Sequence, residues 1–251
     1  MTAENKNTST DRIIEISNLR KSFGRQEVLR NISLKLFCEE NLVVLGKSGS
    51  GKSVLVKCIV RLLTSDEGTI DVLGREVRSL NTKELGELRK KIGFLFQSGA
   101  LYDSMTVKQN LEFPLQRIKK NLTQKERDEK INEVLENVGL ADALHKMPSH
   151  LSGGMRKRIS LARTIVVDPL IMLYDEPTTG LDPVTSDEIS ALINDVQKKY
   201  KTSSIIITHD IECARATANR VVMLKDGEVY QEGKLEAFEN STDPLIKSFF
   251  K

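Results

Sequence analysis

The first candidate for a functional site along the chain is a glycine-rich segment, residues 46–53, which reads GKSGSGKS. This pattern is typical of a loop whose backbone N–H groups surround a phosphate, and a helix expected after it would add the partial positive charge of its N-terminus. Lys52 can reach the β- and γ-phosphates of a nucleotide, and the Ser53 hydroxyl can ligate Mg²⁺. We expect the whole loop to contact the nucleotide: Gly46, Lys47, Ser48, Gly49, Ser50, Gly51, Lys52 and Ser53.

Two acidic residues, Asp175 and Glu176, directly follow the apolar run 170–174. In open α/β sheets, ligands bind at the carboxyl ends of parallel strands. Asp175 suits Mg²⁺ coordination through water, and Glu176 can orient or deprotonate an attacking water. An acid pair alone is more often a solvated strand end, but a phosphate loop in the same chain favours the catalytic interpretation.

A third motif, LSGG, ends in Ser152, Gly153 and Gly154 and precedes the basic run 156–163. A serine and two glycines at the start of a helix can bind an anion through the hydroxyl and the exposed N–H groups. The same residues would also make an ordinary helix cap. The motif by itself does not decide between these two interpretations.

Strands that alternate with helices must position these motifs, which argues for an α/β fold with a mainly parallel sheet. A turn-type Asp-Gly pair at residues 226–227 indicates a hairpin between two further strands. Strands are predicted at 13–19, 31–36, 41–46, 170–174, 204–208, 221–224 and 228–231, and helices at 54–63, 185–200 and 243–251.

The chain divides into three predicted regions. Residues 1–11 are polar and are expected to be a disordered tail. Residues 12–240 form the main domain, with a mostly helical insertion at about 98–164 that is rich in Lys, Glu, Asn and Gln. Residues 241–251 form a C-terminal tail helix, whose apolar side chains pack either on the chain's own core or on a partner.

Composition excludes several classes of protein. Lys plus Arg is 38 and Asp plus Glu is 35, a net charge of +3, which argues against nucleic acid as a partner. No uncharged apolar run approaches the roughly 18 residues of a membrane helix. The three cysteines form no C-x-x-C pair, so we expect a reducing, cytoplasmic location rather than a disulfide scaffold.

The three motifs follow each other along the chain as phosphate loop, LSGG and acidic pair, with a helical insertion between the phosphate loop and the acidic pair. In this order they resemble the nucleotide-binding subunit of ATP-binding cassette (ABC) transporters, whose signature is LSGG. The resemblance covers about residues 12–240. It implies a core sheet like that of RecA, an N-terminal antiparallel β subdomain, a helical signature subdomain, and an ATPase that uses ATP and Mg²⁺.

The resemblance also assigns four more residues. Phe23 matches the aromatic that stacks on adenine, and Gln97 matches the glutamine that contacts Mg²⁺ and senses the transporter. Asp182 matches the aspartate of the loop that crosses the dimer interface. His209 matches the histidine that holds the γ-phosphate and acts with Glu176 in catalysis.

In this family the LSGG of one subunit closes over ATP held by the phosphate loop of another. The resemblance therefore implies a homodimer docked on a separately encoded membrane permease. The chain would then be a peripheral protein on the cytoplasmic face of the inner membrane.

Three stretches, 92–115, 147–163 and 175–189, are similar to the ATPase of the Mla/MCE-type phospholipid transport system, which works with MCE-type lipid-binding proteins. Two features carry this similarity: the sequence QSGAL, which begins at Gln97, and Met155, which follows LSGG. Two alternatives stay open: an importer ATPase for polar amino acids or similar solutes, and a non-transport cassette ATPase in cell division.

Overall fold

The computed structural model describes residues 12–250, so the tail predicted at 1–11 and the final residue lie outside the described part of the chain. One mixed sheet, with the strand order β5-β4-β1-β2-β10-β9-β3-β8-β7-β6, organises the fold. The strands are β1 (Arg12–Phe23), β2 (Gln26–Phe37), β3 (Asn41–Leu45), β4 (Glu67–Val72), β5 (Arg75–Glu76), β6 (Ile92–Leu95), β7 (Ile171–Asp175), β8 (Ser203–Thr208), β9 (Arg220–Lys225) and β10 (Glu228–Gly233).

Helices cover both faces of this sheet, and two short 3₁₀ turns, Ala141–Ala143 and Pro148–His150, lie between the fourth and fifth helix. The helices are α1 (Lys52–Ile59), α2 (Thr82–Arg89), α3 (Val107–Ile118), α4 (Gln124–Asn137), α5 (Gly153–Ile165), α6 (Pro183–Tyr200), α7 (Ile211–Thr217), α8 (Leu235–Glu239) and α9 (Pro244–Phe249).

The sheet has a parallel and an antiparallel part, as the sequence predicts. Strand β3 pairs in parallel with β8 and β9, and β7 pairs in parallel with β6 and β8. Strands β1, β2, β4 and β5 pair antiparallel, and β9 and β10 form the predicted hairpin. The predicted fold class, an α/β fold with a mainly parallel core and an antiparallel N-terminal part, is confirmed.

Successive residues of the central strands point into two different cores. In β3, Val43 and Leu45 join the cluster that includes α3 to α6, whereas Leu42 and Val44 join the cluster under α1 and α2. Both faces of the strand are therefore covered. This explains why its sequence is a continuous apolar run rather than an alternating one.

Helix α1 is shorter than the helix predicted at residues 54–63, which is a correction. It begins at Lys52 and ends at Ile59 because Arg61 adopts a left-handed conformation, with a φ of 51°. The N–H of Leu62 then donates to the carbonyl of Lys57, which closes the helix end in the usual way. The apolar residues beyond Ile59 belong to a turn.

The segment between β6 and α3 is irregular and is held in place by Asn110. This side chain is fully buried. Its Oδ1 accepts from the N–H of Tyr102 at 2.8 Å, and its Nδ2 lies 3.0–3.1 Å from the carbonyls of Tyr102, Met105 and Thr106. One amide group therefore ties together several backbone polar groups of this irregular segment.

We expect Asn110→Ala to lower the free energy of unfolding by ~1–3 kcal/mol, because it leaves buried backbone groups without partners. The matched control is Gln116→Ala, an exposed position in the same helix, for which a change within about 0.5 kcal/mol is expected. Urea denaturation of both variants measures this difference. Equal effects of the two substitutions would contradict the role given to Asn110.

Candidate functional site

A cleft of about 810 Å³ lies at the carboxyl ends of β3, β7 and β8, where the phosphate-loop residues meet Glu176 and His209. A volume of this size suits a nucleotide. The predicted site residues that line it are Phe23, Lys47, Ser48, Gly49, Gly51, Lys52, Ser53, Gln97, Glu176 and His209.

The glycine-rich loop turns sharply into α1 at Gly51. This residue has a φ of 98°, and a Cβ added to it would lie 2.9 Å from the carbonyl oxygen of Val28. Only glycine fits this backbone without strain. Helix α1 then begins at Lys52, so its free N–H groups point toward the cleft as the sequence predicts.

The ammonium of Lys52 is buried and is held by the loop itself. Its Nζ donates to the carbonyls of Gly46, at 2.7 Å, and Lys47, at 3.1 Å, and lies 3.7 Å from Glu176 Oε1. Burial lowers the pKa of Lys52, while the Glu176 and Asp175 carboxylates act in the opposite direction. The result is a positive charge fixed in the wall of the cleft.

Glu176 adopts a left-handed backbone conformation with a φ of 52°. Strain of this kind persists only where the surroundings hold the residue, and it is concentrated at functional sites. The Glu176 N–H donates to the carbonyl of Ile207 at 2.9 Å. Its Oε2 lies 2.8 Å from Nδ1 of His209 and accepts from the Thr179 hydroxyl at 3.1 Å. Because a carboxylate only accepts, Nδ1 is the protonated ring nitrogen in this contact.

The Ser53 hydroxyl donates to Oδ1 of Asp175 at 2.8 Å. A hydroxyl and a carboxylate oxygen side by side fit Mg²⁺, which prefers oxygen ligands and keeps several waters. Within residues 12–250 no group of three or more His, Cys, Asp and Glu side chains forms a metal cage. Gln97 lines the same cleft.

Four predicted residues lie outside the cleft and form a separate cluster, here called the signature cluster: Ser152, Gly153, Gly154 and Asp182. Ser152 caps α5 by accepting from the N–H of Met155. A Cβ added to Gly154 would lie 2.5 Å from Thr185, and Asp182 caps α6 through the N–H and hydroxyl of Thr185. Ser152 is therefore a helix cap, as one of the two interpretations predicts. Ser152 and Gly153 are also exposed, and the anion-binding interpretation stays a prediction.

Two further predicted residues of the loop, Gly46 and Ser50, do not line the main cleft, although Gly46 provides the carbonyl that holds Lys52. Ser50 lines a neighbouring cavity of about 220 Å³ instead. Its buried Oγ has no hydrogen-bond partner among residues 12–250. Gly46 and Ser50 therefore support the conformation of the loop and do not face the main cleft.

Sequence reasoning missed other parts of the cleft wall. Ser248 and Phe249 of α9, together with Val28 of β2, also line it. The apolar residues of the tail pack on the chain's own core, where Ile246 is buried, so the tail interpretation that needs no partner accounts for them. No local sequence pattern predicts such contacts, because they join segments that are far apart in the sequence.

The fold and this site define a nucleotide-binding α/β ATPase. Residues 29–179 match the family model described as ABC transporter, and the chain belongs to this family of ATP-binding cassettes. It is an ATPase that binds ATP with Mg²⁺ and serves as the ATP-binding subunit of a transport system. Cassettes of this family dimerise and work with membrane permease components. Within the described residues, no helix has the length and apolar character needed to cross a bilayer.

Curated relatives and solved structures support this assignment. The chain is 34% identical over 252 residues to a methionine import ATP-binding protein of Brucella abortus, covering 100% of this chain and 68% of that protein. It is 39% identical over 236 residues to a probable ribonucleotide transport ATP-binding protein of Mycobacterium leprae, covering 94% of this chain and 68% of that one.

Two solved cassettes share the fold. A dimeric post-hydrolysis structure of the cassette MJ0796, bound to ADP and Pi, has a TM-score of 0.81 at 32% identity over 88% of this chain and 98% of that one. The cbiO1 subunit from Clostridium perfringens, part of the transporter complex cbiONQ, has a TM-score of 0.84 at 28% identity over 92% of both chains.

We expect Ser53→Ala to weaken ATP binding in the presence of Mg²⁺ by about tenfold, because the metal loses its hydroxyl ligand. Binding in EDTA should be unchanged, since the phosphate loop stays intact. Titration with a fluorescent ATP analogue, with and without Mg²⁺, measures both values. An equal loss under both conditions would mean that Ser53 supports the loop rather than the metal.

Proposed function

We propose that two copies of this chain bind two ATP molecules between them, each held by the cleft of one copy and the signature cluster of the other. The observation that carries this proposal is the separation of the two parts within one chain. Ser152 and Gly153 are exposed and do not line the cleft that holds Lys52 and Glu176. A second copy can bring the missing donors to the nucleotide.

In this site, each residue contributes one elementary action. Phe23 stacks on the adenine base, which is worth ~1–3 kcal/mol per base. Lys52 and the loop N–H groups neutralise the phosphates. Ser53, Asp175 and Gln97 hold Mg²⁺, which supplies charge neutralisation at the transferred phosphoryl group when bound.

Hydrolysis needs a base and a group that holds the γ-phosphate. Glu176 acts as the base: its carboxylate lies at the strand end in the wall of the cleft, and the hydrogen bonds to its Oε2 fix its orientation. His209 Nδ1 is occupied by this carboxylate, so Nε2 is the ring nitrogen that contacts the γ-phosphate. Lys52 lies 3.7 Å from Glu176 and stabilises the negative charge of the Glu176 carboxylate and of the γ-phosphate.

The permease is proposed to dock beside Gln97. A small groove of about 180 Å³ lies there, lined by Val60, Leu62, Arg89, Ile92, Phe94 and Phe96. Leu62 is 52% exposed and Tyr102 is 44% exposed. Arg163 donates to the carbonyl of Ala100 at 2.6 Å and lies over the Tyr102 ring, which fixes the QSGAL segment. Apolar groups on a fixed surface suit a helix of a membrane partner.

The proposed cargo is phospholipid, moved by a permease with an MCE-type partner at the cytoplasmic face of the inner membrane. The QSGAL segment supports this cargo because permease contacts vary with the transported substrate, and the LSGGM sequence supports it because we expect a different sequence there in an importer of polar amino acids. The second candidate is import of an amino acid or a similar polar solute. It is favoured by the relative named for methionine import.

Dimer closure and hydrolysis are separable by two substitutions. We expect Glu176→Gln to bind ATP normally and to reduce turnover by about 100-fold or more, since water activation is lost while the phosphate contacts stay. We expect Ser152→Arg to bind ATP as a monomer and to form no dimer. Light scattering with ATP and a phosphate-release assay measure both. Normal dimers of Ser152→Arg would rule out the composite site.

The cargo is tested by capturing partners with tagged Glu176→Gln and ATP from detergent-solubilised native membranes. Mass spectrometry should identify a polytopic permease, an MCE-type protein and phospholipid. The matched control is Leu62→Asp in the same background, which should keep ATP binding and lose the permease. A solute-importer permease or a cell-division protein in place of the MCE-type partner would contradict the lipid assignment and keep the ATPase.

A further inference from the structure

A second buried ammonium, that of Lys157, lies behind the catalytic site. Lys157 is in α5, five residues after Ser152, and is 7% exposed. Its Nζ donates to the carbonyl of Gln97 at 2.6 Å and to the carbonyl of Glu176 at 3.4 Å. Both acceptors belong to residues whose side chains line the ATP cleft.

Burying this charge is costly. Among the described residues, the groups that offset the cost are carbonyls and carboxylates of the ATP site. Among residues 12–250, both hydrogen-bond partners of the ammonium are backbone carbonyls. Burial lowers the pKa of Lys157, and the Asp175 and Glu176 carboxylates act in the opposite direction. A side chain that only filled space here would be more stable without a charge.

The contact joins three segments that come from different elements. Gln97 follows β6, Glu176 follows β7, and Lys157 belongs to the helix that begins at the signature cluster. Since a helix moves as a rigid body, a displacement of Ser152 also displaces Lys157. Lys157 can therefore report the position of the signature cluster to both cleft residues.

The backbone of Glu176 needs such a restraint because of its conformation. Its φ is 52°, and a left-handed conformation persists in a non-glycine residue only when its neighbours determine it. The N–H of Glu176 is held by the carbonyl of Ile207, and its carbonyl is held by Lys157. The two contacts fix both ends of the residue whose carboxylate activates water.

We propose that Lys157 is a positioning residue, which holds the backbones of Gln97 and Glu176 against the signature helix so that the catalytic geometry depends on where that helix stands. This inference rests on the proposed role of Glu176 as the base. It does not depend on the cargo.

The test compares Lys157→Met, which keeps the length of the side chain and removes the charge, with Arg158→Met. Arg158 is the adjacent cation; it pairs with Glu188 and donates to the carbonyl of Val138, so its loss controls for charge and helix stability. Both variants, with Lys157→Arg, are purified in their native membrane assembly through a tag on this chain. ATP affinity, kcat and thermal stability are measured for each.

We expect Lys157→Met to lower kcat roughly 10- to 100-fold, because a small displacement of the base is enough for such a loss. Its Kd for ATP should stay within about twofold of the parent value, since the phosphate contacts remain. Arg158→Met should keep its kcat, and Lys157→Arg should recover part of the loss. Unchanged kcat in Lys157→Met, or equal losses in both methionine variants, would overturn the proposal.

Two further readouts separate positioning from simple destabilisation. In the Glu176→Gln background, Lys157→Met should cause a much smaller additional loss of residual turnover than in the parent, because only its contact with the Gln97 segment is left to act. Hydrogen exchange at residues 97–100 and 176–179 should increase in Lys157→Met and not in Arg158→Met. Additive losses, or a fall in Tm and ATP affinity together, would assign Lys157 a merely structural role.

If Glu176→Gln itself retains full turnover, the proposed base is wrong. A selective loss of kcat in Lys157→Met would then still show that this residue positions the Gln97 segment. The two failures are therefore distinguishable.

Discussion

The site depends on placing like and unlike charges together at the carboxyl ends of buried parallel strands. Lys52, Asp175 and Glu176 are all at most 8% exposed, and none of them could be charged there alone. Each is stabilised by the others and by backbone groups: the loop carbonyls for Lys52, and the Ser53 hydroxyl for Asp175. The strands β3 and β7 have to run parallel for this to occur, with only β8 between them, since only then do their carboxyl ends meet at one edge.

The same constraint explains the strained backbone at Glu176. A carboxylate that must face the phosphate loop directly after a buried strand cannot continue in an extended conformation. The chain therefore turns left-handed at this residue, and neighbouring groups hold the turn: Ile207 at the N–H, His209 and Thr179 at the carboxylate. The strain is local, and the packed sheet beneath it supplies the rigidity that maintains it.

The cleft and the signature cluster belong to different parts of the same chain, and this division follows from how the two parts are built. The cleft is formed by strand ends, whereas the signature cluster is formed by the capped starts of α5 and α6. Helix caps on the surface can meet a ligand brought by another molecule. The arrangement therefore suits the two-copy site proposed above, and the similar cassette MJ0796 has a dimeric structure.

The sequence by itself determined the fold class, the phosphate loop and the acidic strand end, because each depends on residues adjacent in the chain and on local backbone rules. The apolar run of β3 followed by glycines is one such local signal. The sequence could not determine the contacts of Lys157, the place of Phe249 in the cleft wall or the left-handed turn at Arg61. Those depend on which segments, distant in sequence, come within a few ångströms, and only the packing of the two cores against the sheet decides that.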